Sequence, residues 1–166
     1  MAKGYGAYPN QYDKNKPDDT IPKPVAIETF YKTGNKDAAG KVIRADLFDT
    51  VAAQIAASFC NGRDGVSYTQ LRRMYDEAKR FEQLLDADAK NWEKELPYIK
   101  MMKSKIRYAV ARAAKDKGTR VTGYYNNFAS FISEGIDLIK DEQDYRVFIS
   151  LFEAVCGFYY ENAPKN

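Results

Sequence analysis

From Leu47 to Tyr159 the apolar residues of this chain return every three or four positions, and no stretch alternates convincingly with period two. A chain patterned this way buries its apolar surface by packing helices against one another. Leu47, Val51, Ile55 and Phe59 mark a first segment, and Asn61-Gly62 ends it. Ser67-Tyr68-Thr69-Gln70 then has the form of a capping box, in which the Ser67 hydroxyl accepts from the third helical N–H and Gln70 reaches back. The helix it opens runs to about Leu85, with Leu71, Met74, Tyr75, Ala78, Phe81 and Leu85 inward. Residues 86–96 are acidic and read as a connector anchored by Trp92. Residues 97–117 read as one long helix, with Pro97 in its first turn and Gly118 as its stop. Ile99, Met102, Ile106, Ala109, Val110 and Ala113 share one stripe of it. A fourth helix spans about 122–139. A fifth restarts at Asp141 or Asp144, ends near Asn162 and is apolar over half its circumference, which predicts a central position.

The expectation is an all-α, single-domain bundle of about five helices over residues 44–166, preceded by an arm. Residues 1–43 hold Pro9, Pro17, Pro22 and Pro24, four of the six prolines, and show weak apolar periodicity. They read as a flexible arm that could order against a partner. Its short run 25–31 has three options: a turn of helix, an edge strand, or docking on the body.

Catalysis finds little material. The chain has no histidine, which removes the commonest general base and the commonest zinc ligand. Cys60 and Cys156 are isolated among apolar neighbours and read as buried small hydrophobes in a reducing cytosol, with a disulfide between them left open. The carboxylate pairs Asp86/Asp88, Asp18/Asp19 and Asp141/Glu142 lie in loops or at helix starts, where acids complement the helix dipole. No glycine-rich phosphate cradle and no long apolar run occur. The reading is a soluble, cytoplasmic, membrane-free protein that is not an enzyme, with no catalytic residue, no cofactor and no metal.

Charge is more informative. Residues 97–117 carry seven cations against Asp116 alone, a net +6 in a chain of net +3. Such a cationic island in an otherwise acidic body points to an anionic partner. Lys100, Lys103 and Arg107 form a row on one side of the buried stripe; Lys105 and Arg112 form another on the opposite side, with Tyr108 on the outer face. On the preceding long helix Arg72 and Lys79 flank the apolar face, while Arg73 and Arg80 lie outward. Packed side by side, the two helices would bring flanking cations into a groove able to track a phosphate backbone. The competing reading is a solvated face whose long side chains snorkel around the core.

The order of motifs adds a resemblance. S-Y-T-Q-L-R-R-M-Y-D-E at 67–77, K-S-K-I-R-Y-A-V-A-R at 103–112, N-F-A-S-F-I at 127–132 and F-E-A-V-C-G-F-Y-Y at 152–160 follow one another. This succession resembles the small, all-helical subunit of type III-A CRISPR effector complexes, the second subunit of the Csm series, over residues 44–162. The resemblance implies a non-catalytic RNA-binding subunit. Copies of it would stack in a filament beside the backbone subunits that carry the guide (crRNA), contacting guide and target RNA. It also implies that target-RNA cleavage belongs to the backbone subunits, and DNA cleavage and cyclic-oligoadenylate synthesis to the large subunit. Arg72, Arg73, Tyr108 and Arg112 occupy the family's motif positions, whereas Lys103, Lys105 and Arg107 match its basic character only. With Lys79 from the flanking row, these eight residues are the expected RNA-binding set. The alternative is a helical protein-interaction module, dimerising or adapting through the apolar fifth helix. A DNA-binding helix-turn-helix is disfavoured by the eleven-residue connector.

Overall fold

The computed structural model describes residues 21–32 and 41–165; residues 1–20 and 33–40 of the expected arm lie outside the described residues. It is an all-α bundle. Among the described residues the only β contacts are isolated bridges, Tyr31 with Ile43 and Cys60 with Gly65.

The first segment is short and starts unusually. A π-turn at Leu47–Val51, in which Val51 N–H donates to the Asp46 carbonyl (3.0 Å), runs directly into α1, Ala52–Ala57. Residues spaced by four drift around a regular α-helix, and the wider turn holds them in closer alignment. Leu47, Val51, Ile55 and Phe59 are accordingly all buried. Asn61 Oδ1 then accepts from the Arg63 and Asp64 N–H groups (3.0 and 2.7 Å), and Gly62 supplies a φ of 86° that turns the chain.

Helix α2, Tyr68–Ala87, buries the six predicted residues, and the Ser67 hydroxyl accepts from Gln70 N–H at 3.4 Å. The reciprocal half of the capping box is absent. Ser67 N–H donates instead to the Tyr125 hydroxyl (3.1 Å), and Gln70 Oε1 has no partner among the described residues.

The expected connector is mostly helix. After α2 and a 3₁₀ turn, Ala89–Asn91, α3 runs from Trp92 to Lys117, so Pro97 sits in the sixth position rather than the first turn. Pro97 forgoes one bond to the Glu93 carbonyl, while Glu93 and Glu95 in the first turn favour the dipole. Trp92 packs beside Tyr145 (ring centres 6.2 Å apart). Gly118, at φ 77°, separates α3 from α4, Thr119–Asp137, which starts three residues earlier than predicted. Helix α5, Glu142–Asn162, is capped by Asp141, whose side chain accepts from Asp144 N–H (2.9 Å).

Helix α5 is central, packing against α1, α2 and α4. Of its nine predicted inward residues only Phe158 is exposed. The Phe152 ring lies 5.5, 6.3, 5.3 and 6.0 Å from those of Tyr75, Phe128, Phe131 and Phe148. Cys60 and Cys156 are buried and unpaired with each other, and burial pushes the Cys156 thiol up to about 12.

Of the options for residues 25–31, docking is the one realised. The chain from Ile21 onward forms a strap along α4. Ile21 fills the space left by the missing Cβ of Gly123, and the Pro22 carbonyl accepts from Asn127 Nδ2 (2.7 Å). Ile27 N–H donates to Glu134 (3.2 Å), and Ile27 and Phe30 join the core. The strap is latched at Asp144, a buried carboxylate that accepts from the Tyr31 hydroxyl (2.6 Å), Lys41 Nζ (2.8 Å) and Lys140 N–H (2.8 Å).

Burial would raise the Asp144 carboxyl, but the hydrogen bonds from Lys41, Tyr31 and Lys140 outweigh it and leave its pKa below the ordinary value. The folded state therefore favours the ionised form. Its stabilisation is full above the unfolded carboxylate range and is lost as pH falls through the lower folded value. Asp144→Asn should cost about 1–3 kcal/mol at pH 7, with the gap to wild type closing below about pH 4 in urea titrations. Gly135→Ala tests the α4–α5 contact: the added Cβ would stand 2.2 Å from the Phe148 ring. It should cost about 1–3 kcal/mol by overpacking, read as a lowered denaturation midpoint.

Candidate nucleic-acid interface

Helices α2 and α3 run antiparallel, joined by the short junction 88–91. Asp88 accepts from Lys90 N–H (3.0 Å), and Asn91 Nδ2 donates to the Leu84 carbonyl (3.0 Å) to cap α2. The junction sets a register in which Glu77 meets Lys105 in an ion pair. One and two turns earlier on α2 and one and two turns later on α3, the same register brings Arg73 and Gln70 opposite Tyr108, Ala109 and Arg112. With Met74 and Glu77 these residues wall a cavity of about 180 Å³.

Two cations, Arg73 and Arg112, and one carboxylate, Glu77, line the groove, and Glu77 is paired with Lys105 beside it. Arg73 and Arg112 are exposed and form no ion pair among the described residues. The Arg112 guanidinium lies 5.9 Å from the centre of the Tyr108 ring, which is 66 % exposed. A guanidinium beside an exposed ring offers phosphate donors and a stacking face together. Gln70 also lines the groove, and its amide oxygen is buried without a partner among the described residues.

The structure divides the expected set of eight. Arg73, Tyr108 and Arg112 converge on the groove, and Lys105 stands beside it through its ion pair with Glu77. Arg72 and Lys79 do not, because at 100° per residue they fall on the flank of α2 that faces α5. Arg72 pairs with Asp76 (2.9 Å) and lies over the Tyr75 ring, which itself packs on Phe152; Lys79 pairs with Glu82. Asp76 holds the Arg72 guanidinium more firmly protonated, and Glu82 does the same for the Lys79 ammonium. Lys103 and Arg107 occupy the other flank of α3, towards α4, where Lys103 pairs with Asp137; Arg107 is exposed with no ion pair among the described residues. The flanking cations of α2 therefore do not meet those of α3. It is the residue next along, Arg73, that does.

Sequence reasoning missed Gln70, Met74, Glu77 and Ala109 as groove walls. Gln70 and Glu77 lie at i−3 and i+4 from Arg73, so the helical spacing carried the signal. Among the described residues no group of His, Cys, Asp and Glu is placed to hold a metal, and no helix is long and apolar enough to cross a membrane.

The fold and groove define a small helical-bundle protein with a cation-walled surface between two antiparallel helices. Compared with protein-family models, residues 43–163 match the family Csm2 Type III-A, and the chain belongs to that family, the small subunits of type III-A CRISPR Csm complexes. The match covers the span over which the motifs resemble that subunit. No curated protein and no solved structure matched the chain.

The Lys105–Glu77 pair is surface-exposed on the lysine side and worth little to the fold. Glu77→Gln should change the urea midpoint by an amount equivalent to less than about 1 kcal/mol.

Proposed function

We propose that the protein is a non-catalytic subunit of a type III-A Csm effector complex that holds RNA backbone, independently of sequence, in the groove between α2 and α3. The observation that carries this reading is the convergence of Arg73 and Arg112, both without ion-pair partners among the described residues, beside the exposed Tyr108. Unpaired guanidinium groups facing one another across a cleft repel, and a bound phosphate offsets that repulsion while releasing counterions. The bound strands are guide (crRNA) and target RNA, and the protein partners are the backbone and large subunits and further copies of this chain in a filament, in the cytoplasm. Arg72 and Lys79 act in this reading through their internal pairs, orienting α2 rather than touching RNA.

The dimerisation alternative needs the apolar face of the fifth helix to be free. That face is in the core, and α5 leaves only Phe158 and Tyr160 as exposed large hydrophobic residues. A long connector does not count against a helix-turn-helix, because the junction between α2 and α3 is short. A different observation counts against it: the start of α3, where such a helix reads bases, carries Glu93 and Glu95.

Titration of single-stranded RNA at several salt concentrations tests the proposal. Two neutralised phosphates give log affinity against log salt a slope of about −1.4, and a flat response would remove the idea. Arg73→Glu with Arg112→Glu should weaken every RNA sequence alike by more than about tenfold. Glu77→Gln, which leaves Lys105 uncompensated, should strengthen binding by a few fold. Loss confined to one sequence would point to base readout instead.

A further inference from the structure

We propose that α3 carries a second phosphodiester-binding site on its opposite flank, so that one molecule holds two RNA backbone segments at once. This rests on the RNA-binding reading above. The site is a cleft of about 220 Å³ where Lys100 and Lys103 of α3 meet Asp137, Ile139 and Lys140 at the end of α4. Three ammonium groups surround a single carboxylate. Lys103 pairs with Asp137; Lys140 Nζ donates to the Asp137 carbonyl (3.2 Å) and not to its carboxylate.

Compensation of the α4 dipole accounts for Lys140, which also has its backbone N–H fixed by buried Asp144. It leaves Lys100 without a partner among the described residues and the cleft with an excess of two positive charges. Arg107, one turn beyond Lys103 and likewise free of ion pairs among the described residues, extends the row along about 10 Å of helix. A linear row of cations suits a phosphodiester strand better than a compact anion does. The apolar floor at Ile136 and Ile139 can take the less polar face of a ribose.

The two sites cannot serve one continuous short strand. Lys103 and Lys105 lie about 200° apart around α3, and the helix body between the flanks is about 10–12 Å thick. Each flank must therefore hold its own segment.

The test is the stoichiometry of a six-nucleotide oligouridylate on the full chain at low salt, followed by nuclear magnetic resonance and titration calorimetry. Wild type should bind two molecules. Lys100→Glu with Arg107→Glu should bind one, with shifts confined to Arg73, Tyr108 and Arg112. Neither side chain has an internal partner among the described residues, so the fold should persist; the milder Lys100→Gln should weaken the second site about threefold. Arg73→Glu with Arg112→Glu should keep the Lys100 site. If that variant changes nothing while Lys100→Glu with Arg107→Glu abolishes binding, the groove reading fails and the claim of two segments on one molecule fails with it, leaving the cleft as a single RNA site. A wild-type stoichiometry of one, or Lys100→Glu with Arg107→Glu still binding two, overturns the second site. So does preference of the cleft for polyglutamate over RNA.

Discussion

The positions of α2, α4 and α5 are referred to the ring of Phe152. Four aromatic rings, from α2, α4 and α5 itself, surround it. Each such contact contributes about 0.5–1.5 kcal/mol beyond burial of the ring, and edge-on geometry makes it directional. Tyr75 of α2 and the phenylalanines of α4 are thereby set against a common centre. Helix α3 touches that centre only indirectly, lying on α4 and α2. The groove between α2 and α3 is therefore a consequence of packing on α5, although α5 contributes no residue to it.

Buried tyrosine hydroxyls complete the placement of α2. Tyr159 donates to the Val66 carbonyl, Tyr125 accepts from Ser67 N–H, and Tyr145 donates to the Ala78 carbonyl at 2.7 Å. Burial pushes the Tyr145 and Tyr159 hydroxyls up, which keeps both protonated as donors. These bonds pin the start and the middle of the helix that carries Arg73. They also explain the half-made capping box: once Tyr125 has taken Ser67 N–H, the Gln70 amide has no donor to reach, and it remains at the groove wall.

Net charge alone misjudges α3. Two of its cations, Lys103 and Lys105, are held by Asp137 of α4 and Glu77 of α2. Exposed pairs of this kind add little stability, but they fix where the long side chains lie on either flank. The unpaired groups Arg73, Arg112, Lys100 and Arg107 then define the surface available to an anion. A helix of net +6 in sequence thus acts through a few groups whose freedom depends on which carboxylates the neighbouring helices present.

Helical spacing alone determined the five-helix bundle, the buried stripes, the central α5, the turn at Gly62 and the stop at Gly118, because periodicity and glycine chemistry are local. The groove residues Arg73, Tyr108 and Arg112 are legible for the same reason, together with the order of the family's motifs. Tertiary structure decided the rest. Whether Arg72 or Arg73 faces α3 depends on a 100° rotation of α2 about its axis, set by Tyr75 against Phe152. The docking of residues 21–32 depends on a groove along α4 opened at Gly123 and on Asp144, more than a hundred residues away. The early start of α3 was hidden by Pro97, whose lost hydrogen bond the packed bundle tolerates. Local pattern names the faces of each helix; only packing determines which face meets which.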